Sequence, residues 1–172
     1  MLYVLINNQA TWLSKILIVL SVHDIDYDYF SVMVWQGKGN KNRRTTLAPE
    51  LVVSLKQQSQ YVLQYFQADT ANPGYAGVWL PYALARKYPS ASKELGWQYL
   101  FPSLQLSVDP DSKLLRRHHL DESCVRREIK IAARKAGIRK NVTCHTLRHS
   151  FIKCVHAFYP SGHPADVQIH SR

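Results

Sequence analysis

The chain has 172 residues and is nearly half apolar, enough to bury a core and too hydrophobic to remain disordered. Its 22 lysines and arginines against 12 acidic residues give a formal charge of +10, which favours a polyanionic partner, nucleic acid being the commonest, although a basic surface can also serve no specific partner. Three cysteines, Cys124, Cys144 and Cys154, form no CxxC pair; that pattern does not suit a secreted disulfide framework and fits a reducing cytoplasm.

In chain order, residues 1–22 read as helical and apolar, and His23-Asp24-Ile25-Asp26 closes the segment. The apolar stretch 13–22 contains Lys15 and Ser21 and is too short to cross a bilayer, so no membrane role is expected. Residues 30–35, rich in valine and aromatics, suit a strand. Gly37-Lys38-Gly39-Asn40-Lys41-Asn42 is a turn, and Arg43 to Leu47 the returning strand of a β-hairpin with lysines at its tip. Pro49 opens a helix over about 50–67, with Leu51, Leu55, Val62 and Phe66 at helical intervals. A loop follows over 69–77. Residues 78–81 look strand-like, 82–88 form a short helical piece, and 97–101 are a further strand candidate ended by Pro102. A loop with Asp109-Pro110-Asp111 leads into Arg116-Arg117-His118-His119. Asp121 is placed to cap a helix running to about Ala136 and ended by Gly137. Val125, Ile129, Ala132 and Ala133 mark one face of it, with Arg126, Arg127, Lys130 and Arg134 elsewhere. Another helix begins near Thr146. These elements predict one α+β domain, mostly helical with small antiparallel strands.

Three clusters carry candidate chemistry. His145 and Arg148 are three apart and would share a helix face, where an imidazole and a planar guanidinium can hold two oxygens of one phosphate. For an isolated pair of this kind, a surface pair on an amphipathic helix is the commoner reading. The hairpin lysine Lys38, with Lys41, Arg43 and Arg44 beside it, could reach a neighbouring groove or form a solvated basic turn. Arg116, Arg117 and His118 precede a capped helix, where phosphate contact is natural, but a solvated charge run looks the same in sequence. Cys144-His145 and Cys154-x-His156 fit no common zinc spacing, and no metal site is expected.

The combination is more specific than its parts. A strand-turn-strand carrying GKGxKxR, followed far downstream by His145-Thr146-Leu147-Arg148-His149-Ser150-Phe151, resembles the catalytic domain of the tyrosine recombinases, the phage-integrase family. The run from Tyr75-Ala76-Gly77-Val78-Trp79-Leu80-Pro81 to Pro89, together with Gly96-Trp97-Gln98-Tyr99-Leu100-Phe101-Pro102 and Arg116-Arg117-His118-His119-Leu120-Asp121, is similar to integron integrases. The resemblance spans about residues 22–151. It implies a tyrosine nucleophile, a 3′-phosphotyrosyl intermediate, a departing 5′-hydroxyl and no metal or nucleotide cofactor. It matches Arg148 to the second arginine, His145 to the histidine before it, and Lys38 to the lysine that protonates the leaving oxygen. The implied partner is double-stranded or folded single-stranded DNA at recombination sites, bound by a tetramer in a bacterial cytoplasm at the nucleoid.

The sequence also departs from that pattern. The family's first arginine lies in a helix shaped GLRxxExLxLxxxDID; the tail is present as Leu20, Val22 and Asp24-Ile25-Asp26, but Leu13 stands where the arginine belongs and Ile16 where the glutamate belongs. Gly162-His163 echoes the family's Gly-His element, yet arrives early and is followed by no tyrosine; Tyr159 precedes it. The expectation is a partial catalytic domain over 1–151 with a divergent tail over 152–172, truncated or frameshifted at both ends. Two other readings stay open: a non-catalytic DNA-binding module that keeps the basic face, and a basic α+β protein whose partner is protein or RNA.

Overall fold

The computed structural model describes residues 19–35 and 41–147. Lys38, Arg148, Leu13, Ile16 and the 152–172 tail lie outside these residues. Among the described residues the chain is α+β. A three-stranded antiparallel meander runs β1 (Ile25–Asp26), β2 (Ser31–Val34), β3 (Arg43–Thr46), followed by helix α1 (Val52–Thr70) and the short α2 (Tyr82–Lys87). A two-stranded hairpin, β4 (Ser107–Val108) and β5 (Leu115–Arg116), precedes α3 (Glu122–Lys135).

The meander forms because β-branched residues alternate across it. Val32 stands opposite Ile25 on one side and Thr45 on the other, while Val34 stands opposite Arg43. Val32 and Val34 therefore share the inner face, and Met33, opposite Arg44, lies on the outer one. The inner face meets Leu20, Ile25, Leu47, Leu51, Leu55 and Leu100, the main apolar cluster. Asp24 is buried beside it, and its Oδ2 accepts from Ser21 N at 2.7 Å. Pro49–Leu51 make a 3-10 turn that leads directly into α1, so the predicted helix starts as one tight turn and then runs three residues further than its apolar pattern suggested. Leu55 and Val62 are buried along α1, and the next residue in that seven-residue series is Asp69, also buried.

Two sequence expectations fail in the middle of the chain. Residues 78–81 are not a strand: Val78 N donates to Ser92 O at 2.9 Å, and among the described residues no strand pairs with them. Residues 97–101 are not one either. Trp97 closes a 3-10 turn, and Tyr99 makes a single bridge to Ser21. Valine and aromatic content makes these segments look like strands, but neither joins a strand ladder. Gly77 explains part of this. Its φ is +87°, and a Cβ there would sit 2.3 Å from Ser92 O, so only glycine lets the two backbones approach. Conversely, the Asp109-Pro110-Asp111 loop is the turn of a hairpin, with Ser107 opposite Arg116 and Val108 opposite Leu115.

Helix α3 follows expectation closely. Asp121 Oδ1 accepts from Ser123 N at 2.8 Å, and Gly137 takes φ +69° just past the end. Ile129 and Ala133 are buried. The next helical turn, 144–147, begins two residues before its expected start. Thr143 and Thr146 cap it reciprocally: each side-chain oxygen accepts from the other's backbone N–H at 3.2 Å.

Candidate nucleic-acid interface

The candidate residues separate into three groups. Lys41, Arg43 and Arg44 lead into and open β3. Lys41 and Arg44 are exposed, and Arg43 is half-buried because it shares the inner face with Val34. Strand alternation thus splits two adjacent arginines between the core side and the outer side.

His145 sits on the 144–147 turn. Cys144 is buried against Ile129, with Val125, Val142 and Leu147 around it. Burial pushes the Cys144 thiol above its ordinary range, so this cysteine is an apolar plug and not a thiolate. Cys144 faces inward, whereas its neighbour His145, about a quarter-turn round the helix, is exposed. The same packing seats the His145 turn on α3. The side of α3 away from Ile129 and Ala133 exposes Arg127, Lys130 and Arg134, with Arg139 and Lys140 just beyond its end. Arg126 pairs with Glu122 at 2.8 Å. A cationic helix flank and an outward imidazole therefore belong to one packed unit.

Arg116, Arg117 and His118 lie differently from a phosphate-binding run. Arg117 is buried, and its guanidinium forms a fork on Asp69: Nε donates to Oδ2 at 2.8 Å and Nη2 to Oδ1, while Nη1 donates to Ser103 O at 2.9 Å. The guanidinium also lies over the Tyr65 ring, 5.0 Å from its centroid. Arg116 donates through Nη1 to Val78 O at 2.8 Å and Ala76 O at 3.2 Å, and its Nε is 3.7 Å from Asp109 Oδ2. His118 is half-buried, and its carbonyl accepts from Ser103 N at 2.8 Å. The structure turns both guanidinia inward, where they tie α1 and the 76–78 segment to β5, and does not aim them at the N-terminus of α3. Sequence reading missed this network. The available signal was Asp69, a carboxylate in register with Leu55 and Val62, which requires a buried cation.

A second missed cluster surrounds that network. Gln98 is buried; its Nε2 donates to Ser92 O and Glu94 O, and its Oε1 accepts from Tyr75 OH at 2.9 Å. Burial raises the Tyr75 phenol to about 12, which keeps it a donor. His119 packs edge-on against Tyr99, centroids 5.4 Å apart. Among the described residues no helix is long and apolar enough to cross a membrane.

Comparison with known proteins adds to this geometry. The phage integrase family profile matches residues 14–156, which include Lys38, His145 and Arg148. Two proteins described as "Integrase/recombinase", one from Escherichia coli and one from Pseudomonas aeruginosa, are each 42% identical to the chain over 132 residues, 77% of its length. The chain spans 39% of the length of each. A crystal structure of XerA recombinase superposes with a TM-score of 0.55 at 23% identity, over 94% of this chain and 42% of that one, a likeness of fold.

Proposed function

This chain belongs to the phage integrase family, and from that premise we propose that it is a portion of the strand-exchange domain of a site-specific DNA recombinase of the integron integrase type. The observation that carries the proposal is the family match over 14–156, because one continuous match holds both the hairpin lysine and the His145-x-x-Arg148 pair. In this reading Arg148 and His145 neutralise the charge that builds on the phosphoryl oxygens, and Lys38 gives its proton to the departing 5′-oxygen. Lys41, Arg44 and the cationic flank of α3 hold the DNA backbone, and the half-buried Arg43 reaches it only from the edge of the inner face. Arg116, Arg117 and His118 serve by bracing the 76–78 and 103–118 segments. The proposed unit is 1–151, with 152–172 as a divergent tail, and the assembly on DNA is a tetramer.

Chemistry requires a nucleophile, and these 172 residues place no tyrosine after His163. The chain alone should therefore bind DNA without forming a covalent bond to it. A nicked duplex carrying an integron recombination site tests both halves. The expected result is affinity that falls steeply with salt and no protein–DNA adduct resistant to denaturant. A trapped phosphotyrosyl adduct would overturn the assignment of an incomplete site. Salt-insensitive binding, or none, would overturn the DNA reading and favour a protein or RNA partner.

A further inference from the structure

Trp35 follows β2 by one residue and has an inverted orientation. A surface tryptophan ordinarily buries its ring and leaves its N–H to water. Here the residue is 54% exposed, the most of any described tryptophan, while Nε1 donates inward to Asp24 Oδ1 at 2.6 Å. Asp24 is only 4% exposed and is itself fixed by Ser21 N. The indole is thus tethered at its polar edge by a buried carboxylate, with its apolar face held out to solvent. Losing that much apolar contact is unfavourable unless something covers the face.

The surroundings indicate what covers it. Met33 lies two residues before Trp35 and stands opposite the exposed Arg44 on the outer face of the meander. Exposed Lys41 lies on the returning strand's approach. An apolar ring tethered at its polar edge, on a hairpin whose returning strand carries the exposed Arg44 and whose approach carries the exposed Lys41, matches a sugar–phosphate backbone, in which apolar deoxyribose edges alternate with phosphates.

We infer that Trp35 is a DNA-contact residue: Asp24 presents its indole face to a deoxyribose of the bound duplex while Arg44 and Lys41 hold the flanking phosphates. This inference rests on the DNA reading above and extends it to a residue outside the phosphate chemistry. An apolar contact and an ionic one differ in salt dependence, which gives the test. In titrations of the full chain with a duplex across a salt series, Trp35→Ala should weaken binding about 5- to 10-fold and leave the salt slope unchanged, whereas Arg44→Ala should reduce the slope by about one. Trp35→Phe keeps an apolar ring without the tether and should recover part of the loss. Hydroxyl-radical oxidation of the wild-type chain, read by mass spectrometry, should show Trp35 protected by duplex, a result that needs no variant to fold. If the wild-type chain binds duplex but Trp35 is oxidised equally with and without it, or Trp35→Ala binds as tightly as wild type, the inference fails and the DNA reading stands. If the wild-type chain does not bind, both fail.

Discussion

Arg117 carries a full charge into the interior, and every contact it makes there compensates that transfer. Asp69 supplies the counter-charge and two acceptors, Ser103 O a third, and Tyr65 a ring face. Removing one partner strands the other in a medium that cannot solvate it. Asp69→Ala should therefore cost about 3–5 kcal/mol in urea unfolding, and Arg117→Ala a similar amount, while an apolar pair at both positions should restore most of the loss. If the two single variants prove no less stable than the double replacement, the pair does not act as described. At the same scale, Arg43 and Arg44 show how one residue's step along a strand decides burial. The sequence displays two basic neighbours, and only the pairing register assigns one to each face.

At the scale of elements, the β4–β5 hairpin illustrates a turn governed by one carboxylate. Asp109 accepts from the hydroxyl and the backbone N–H of Ser112, and Lys113 N donates to the Asp109 carbonyl at 2.9 Å. The Ser112 hydroxyl, then the backbone donors and the nearby Arg116 charge, hold the Asp109 carboxyl below its ordinary 3.8. A carboxyl lowered on folding contributes stability that is present above its unfolded value and is lost as pH falls through the lowered one. Asp109→Asn should accordingly be destabilised at neutral pH and show a flatter loss of stability on acidification from about pH 6 to about pH 2. Urea midpoints across that range provide the measurement, and parallel curves for variant and wild type would contradict the assignment. Helix α3 was legible in sequence down to its caps, since Asp121 and Gly137 act through purely local geometry. The β4–β5 hairpin was not, because its strands have two residues each and no periodicity can be read over so short a span.

Across the whole molecule, the described residues form two apolar clusters with different duties. One gathers Leu20, Ile25, Leu47, Leu51, Leu55 and Leu100 beneath the meander. The other joins Ile129 to Cys144 and seats the His145 turn on α3. Ile129→Ala should remove about 2–5 kcal/mol of packing from the second cluster alone. Amide exchange over 142–147 should then accelerate while exchange in β2 stays as in wild type; equal acceleration in both would mean that the clusters open as one unit.

The sequence by itself determined the elements with long periodic patterns or local caps, the basic character, and the family resemblance carried by GKGxKxR, HTLRHS and the aromatic middle segments. Those signals depend on neighbours within a few residues and survive in a linear reading. The tertiary structure alone decided that Arg116 and Arg117 turn inward, that Gly77 yields to Ser92 O, and that Trp35 hangs its ring outward from Asp24. Each of these joins residues separated by more than ten positions, and Arg117 lies 48 from Asp69. A guanidinium can satisfy a phosphate or a buried carboxylate through the same fork of donors, so its residue type is silent on the choice until the fold brings one of them within reach.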